Sequence, residues 1–206
     1  MLFPDYRDEL IAMLEQDQQE VQAQSHSVKC SPNAPAVVAD EKRLAQRCAQ
    51  RAERMLAILA EIKTPTLDRI GEDGSEAMGV IALHAKYAIM KRVLVAFEAA
   101  YKENPVNTYR QIIPALTDRV LMLERKKQRF GSQWLMGKNG RFFFYPVEEF
   151  QHMNERRAQY GLHKARHPRD LTYGVPKGPL PPYTRECDQR QPTPEEYENN
   201  LSELLD

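Results

Sequence analysis

The residue in this chain best suited to moving a proton is His84, which closes the apolar run Ala77-Met78-Gly79-Val80-Ile81-Ala82-Leu83. Its imidazole is expected to be buried or to face a cleft, where small changes of surroundings carry its proton across neutral pH. A lone histidine on an apolar helix is also a common satisfied core residue, and that reading stands beside the first. Two acids are placed unusually enough to serve it. Asp17 falls on the apolar stripe of its own helix, three residues after Leu14 and four before Val21, where an ionised carboxylate needs a partner. Asp118 lies within Leu116-Thr117-Asp118-Arg119-Val120, with apolar residues one turn away on both sides. Adjacent helix residues do not share a face, so Asp118 and Arg119 are expected to address different partners. Gln128 and Gln133 bracket Gln128-Arg129-Phe130-Gly131-Ser132-Gln133, and their amides both donate and accept hydrogen bonds. Together these groups allow general acid-base chemistry, with a guanidinium and two amides to hold a polar or anionic molecule.

Other chemistries are poorly served. Arg43, Arg47, Arg51, Glu53 and Arg54 read as a solvated helix face rather than a phosphate stripe. Ile70-Gly71-Glu72-Asp73-Gly74-Ser75 lacks the preceding strand and the lysine of a phosphate loop. No metal site is expected, since no His-x-x-x-His or Glu-x-x-His spacing occurs, and no cofactor is implied. Cys30, Cys48 and Cys187 form no Cys-x-x-Cys pair and no nucleophile motif, which argues against covalent catalysis and suggests a reducing, cytoplasmic setting. Lys plus Arg equals Asp plus Glu at 29 each, so a nucleic-acid partner is disfavoured. No apolar stretch is long enough for a membrane span.

The elements that must position these groups are mostly helices. Apolar spacing predicts a first helix from Asp5 to about Gln24, a loop over Ser25 to Ala39, and a second helix from Asp40 to Ile62 stopped by Thr64-Pro65. A third, central helix is predicted from Ser75 or Glu76 to Tyr101, apolar on every side at its start. After Asn104-Pro105, Pro114 either kinks a helix or opens a new one over Ala115 to about Lys126. Runs at 134–136 and 142–145 around Asn139-Gly140 predict a β-hairpin, and a last helix should run from Glu148 to Tyr160 with Gly161 closing it. From Pro168 the prolines mark an extended tail, with a short acidic helix possible at its end.

The order of Met13 to Gln18, Gly71 with Ser75 and Ala77, His84, Leu116 to Val120, Gln128 to Gln133 and Arg156-Arg157 with Gly161-Leu162 resembles a bacterial family catalogued only as a domain of unknown function. That family's pattern has a methionine then Asp-Gln on the first helix, an alanine-rich helix ending Gln-His-Ala-Asp, a Leu-Thr-Asp-Arg-Val segment and a Gln-x-Tyr-Gly-Thr-Gln signature. The chain departs from it at Leu83, Lys86, Phe130 and Ser132. The resemblance implies a shared polar cluster of Asp17, Gln18, His84, Asp118, Arg119, Gln128 and Gln133, and it brings no known activity.

The expectation is therefore a mainly α protein: a helical bundle around a central buried helix over 1–167, with one β-hairpin, and an extended Pro-rich C-terminal tail over 168–206. Its polar pocket is expected to bind a peptide, a protein partner or a small polar or anionic ligand through Asp17, Gln18, Arg119, Gln128 and Gln133. The alternative is a hydrolase or transferase in which His84 is acid or base and Asp118 or Asp17 orients it. A third possibility is a buried polar network that only fixes helix packing.

Overall fold

The computed structural model describes residues 1–30, 35–136 and 142–165, with backbone alone at 24–30, 35–41, 135–136 and 142–143. The protein is mainly helical. Its contacts divide it into two compact units, Met1–Ile112 and Ile113 onward.

The first unit contains α1 (Pro4–Cys30), α2 (Pro35–Ile62), α3 (Leu67–Leu83) and α4 (Tyr87–Glu103). Helix α3 touches each of the other three. Buried Leu10, Met55, Ile58, Ile70, Met78, Met90 and Phe97 fill the space between them, and each such side chain contributes about 1.5–3 kcal/mol of apolar burial. Helix α1 runs antiparallel to α2, as the pairing of Glu9 with Arg54 and of Glu20 with Arg47 requires. Its start is fastened to α3 by backbone bonds from Leu2 to Asp68 and from Phe3 to Arg69, both 2.8 Å.

Four helix boundaries in this unit differ from expectation. The segment predicted as a loop over Ser25 to Ala39 is helical up to Cys30 and again from Pro35; residues 31–34 lie outside the described residues. Ser25 to Lys29 holds no glycine or proline, and serine weakens a helix by only a few tenths of a kcal/mol, while Pro35 stands in a first turn, where its missing N–H is no loss. The central helix begins earlier, with a kink at Gly71 (φ 72°), and it ends earlier. His84 is the C-cap of α3, and the chain restarts as α4 at Tyr87. Alanine, leucine and lysine around this break are good helix formers, so local preference does not cause it; tertiary contacts override it.

Gly79 on α3 is buried against the short 3-10 turn Arg110–Ile112, so closely that a Cβ there would run into Ile112 Cγ1. Gly79→Ala is expected to lower stability by about 1–2 kcal/mol, overpacking outweighing the gain in helix preference. A lower urea midpoint at unchanged slope would register it.

The second unit contains α5 (Ile113–Leu123), the short strands β1 (Trp134–Met136) and β2 (Phe142–Phe144), and α6 (Met153–Gln159). Pro114 sits in the first turn of α5, which settles the choice between kink and new helix. The strands pair antiparallel with Trp134 opposite Phe144; the expected Asn-Gly turn falls on 137–141, outside the described residues. The last helix is shorter than predicted, a 3-10 turn over Phe150–His152 leading into α6. Gly161 (φ 73°) closes it, with amide bonds from Gly161 to Ala158 and from Leu162 to Arg157. The Pro-rich tail and its terminal helix fall outside the described residues. Among the described residues no helix is long and apolar enough to cross a membrane.

Candidate functional site

In the first unit the break after α3 turns His84 toward α1. Its Nδ1 lies 2.6 Å from Asp17 Oδ2. Asp17 is 1% exposed, whereas the His84 side chain retains 35% exposure. The acid is therefore sealed and the imidazole is reachable. The carboxylate comes from another helix, not from a residue beside His84 in sequence.

The other oxygen of Asp17 is held from α2. Arg51 Nη2 donates to Oδ1 at 3.0 Å, and Cys48 Sγ lies 3.7 Å from the same atom. Arg51 Nη1 donates to Glu20 Oε2 at 2.8 Å, and Arg47 Nε reaches Glu20 Oε1 at 3.0 Å. Arg51 is only 6% exposed, which corrects its reading as part of a solvated face. Burial pushes the Asp17 carboxyl up, but the bond from His84 and the charges of His84 and Arg51 prevail and hold it below its ordinary range. Burial raises the Cys48 thiol, and the nearby Asp17 adds to that. The sulfur is thus a protonated neighbour and not an activated nucleophile. Among the described residues no three acid, cysteine or histidine side chains are grouped to hold a metal ion.

A carboxylate only accepts hydrogen bonds, so Nδ1 of His84 carries the proton in the Asp17 contact. In the neutral ring Nε2 then keeps its lone pair. A fixed tautomer, a buried acid behind it and a reachable second nitrogen are what a general base requires.

In the second unit Asp118, Arg119, Gln128 and Gln133 gather around the 128–133 loop. Asp118 is 0% exposed. It accepts from the amides of Arg129 at 2.7 Å, Phe130 at 3.1 Å and Ser132 at 2.9 Å, and from Ser132 Oγ at 2.9 Å. Burial raises its carboxyl, and these bonds oppose that rise. Gln128 is equally buried. Its Nε2 donates to the carbonyls of Gln133 at 2.9 Å and Tyr145 at 2.7 Å, and its Oε1 accepts from the Gln133 amide at 2.9 Å. The amide chemistry expected to read a peptide here reads this chain's own backbone. Gly131 (φ 63°) supplies the left-handed residue that folds the loop around Asp118. Arg157 Nη1 and Arg156 Nε fasten it from α6, donating to the carbonyls of Phe130 at 2.9 Å and Arg129 at 2.8 Å.

The residues singled out from sequence therefore form two groups, Asp17 with His84 in one unit and the remaining four of the polar set in the other, while Gln18 is exposed on α1. Of the two acids considered for orienting His84, Asp17 is the one in contact with it. Asp118 and Arg119 address different partners, as their adjacency required: Arg119 Nη1 donates to Gln133 Oε1 at 3.1 Å. Sequence reasoning missed Arg51, Glu20 and Cys48. The signal for Arg51 was its spacing, since it falls seven residues after Leu44, three after Cys48 and four before Met55 on the apolar stripe of α2.

A family model described as a family of unknown function (DUF6624) matches residues 4–171. The chain belongs to that family. No curated protein and no solved structure matches it.

Proposed function

We propose that this member of the DUF6624 family is a cytoplasmic general acid-base enzyme, a hydrolase or transferase acting on a polar substrate, with His84 as the proton carrier and Asp17 as the residue that orients it. The observation that carries this reading is the 2.6 Å contact between a sealed carboxylate and a reachable imidazole. Asp17 holds Nδ1–H, so Nε2 takes a proton from water or a substrate hydroxyl and returns it to the leaving group. Arg51 and Cys48 fix the Asp17 oxygen that His84 does not use, which keeps the ring's orientation from drifting. With Cys48 protonated and no serine motif at hand, attack by water or by the substrate's own hydroxyl fits better than a covalent intermediate.

The test is turnover of chromogenic carboxylic-ester, phosphodiester and glycoside substrates by the parent and by His84→Gln and Asp17→Asn. The proposal expects one class to be turned over, with a loss of about 10²–10⁴-fold in His84→Gln and retained thermal stability. Turnover indifferent to His84, or none in any class, rejects it.

A further inference from the structure

Arg119 differs from Arg51, the buried guanidinium of the first unit. Arg51 has Asp17 and Glu20. Arg119, on α5, is mostly buried without being sealed, yet among the described residues no carboxylate lies within ion-pair reach of it. Its one hydrogen bond there runs from Nη1 to Gln133 Oε1. Withdrawal from water lowers the guanidinium's affinity for its proton, and Tyr145 acts against that. The acid next to it in sequence is already committed, since Asp118 gives its oxygens to the amides of Arg129, Phe130 and Ser132.

A guanidinium largely withdrawn from water is costly where no carboxylate among the described residues repays its lost hydration. Its donors are also preset. Gln133 Nε2 donates to Ser132 Oγ at 3.2 Å, and this turns Oε1 toward Arg119 and holds the guanidinium plane through Nη1. The remaining N–H groups of a guanidinium form a rigid fork matched to two oxygens of one anion.

We infer that Arg119, clamped by Gln133, is the receptor of a small oxyanion, a carboxylate or a phosphate group, bound through two of its oxygens. Burial of the cation makes the interaction stronger than at a free surface, because less water competes for the guanidinium. Gln128 and Asp118 do not touch the ligand; they hold the loop that carries Gln133. The site lies wholly in the second unit and is independent of the His84 reading.

Thermal unfolding of the full chain, followed by the fluorescence of its single tryptophan, Trp134, tests this with inorganic phosphate in one arm and acetate in the other, chloride holding ionic strength constant. The parent is expected to show a saturable rise of about 4 °C at ten times the dissociation constant in at least one arm, and the arm tells which oxyanion is preferred. Arg119→Met should lose that rise and, without anion, melt no lower than the parent. Arg119→Lys keeps the charge but not the fork, and should weaken binding about tenfold. Absence of any rise in the parent overturns the inference, as does a rise that survives Arg119→Met. If Arg119→Met does not fold, the lysine variant decides: unchanged affinity overturns the inference, and a tenfold loss sustains it.

Discussion

Asp118→Ala is expected to remove about 4 kcal/mol or more from the stability of the second unit, a loss at the extreme of what single substitutions produce. The reason is local and countable. The carboxylate accepts from the amides of Arg129, Phe130 and Ser132 inside a site with no exposure. A buried N–H left without an acceptor, as at Phe130, costs about 1–3 kcal/mol; the partly buried amides of Arg129 and Ser132 add to this, and alanine also leaves a cavity. Gly131 takes its positive φ without strain, so the loss falls on the unmade bonds. Asp118→Asn should recover part of the loss through its remaining carbonyl oxygen, though its NH₂ faces donors. Urea unfolding read by Trp134 fluorescence measures this; a loss below about 1 kcal/mol would show that the loop is held by other means.

The second large effect belongs to Asp17. Asp17→Ala leaves Arg51 with Glu20 as its one remaining carboxylate among the described residues and His84 without its acceptor, and breaking a buried pair in this way costs about 3–5 kcal/mol. The pH dependence has a definite sign. The folded carboxyl lies below its ordinary value of 3.8, with burial opposing and the His84 and Arg51 contacts prevailing. Its contribution is therefore full above that value and is lost as pH falls through the lower folded value. The stability gap between the parent and Asp17→Asn should shrink on acidification below about pH 4. A gap that does not shrink below about pH 4 would contradict this assignment of charge.

Much of this was legible from spacing alone. Asp17 stood out because Leu14 and Val21 put it on a stripe where water is absent, and the cost of burying a charge demands a partner. Asp118 stood out for the same reason, and Gly161 and Thr64-Pro65 marked helix ends through their backbone limits. Spacing does not say which partner an acid finds. Asp17 meets His84 across sixty-seven residues of chain, and only the packing of α1 against α3 decides that. Arg51 was hidden by its charged neighbours at Arg47 and Arg54, though its position on the α2 stripe was the same signal that identified Asp17. The break at 84–86 was illegible for a different reason. Its residues favour a helix, and the gain from turning His84 onto Asp17 belongs to tertiary contact. A point where local preference is overridden beside a titratable pair is where function is expected to concentrate.

The nitrogen resonances of the His84 ring, identified among the five histidines by their loss in His84→Gln, test the central claim most directly. At a pH where the ring is neutral, Nδ1 should carry the proton and Nε2 the lone pair, and Asp17→Asn should shift this balance toward Nε2–H. A ring that is protonated on Nε2 in the parent, or whose tautomer ignores Asp17→Asn, would contradict the account.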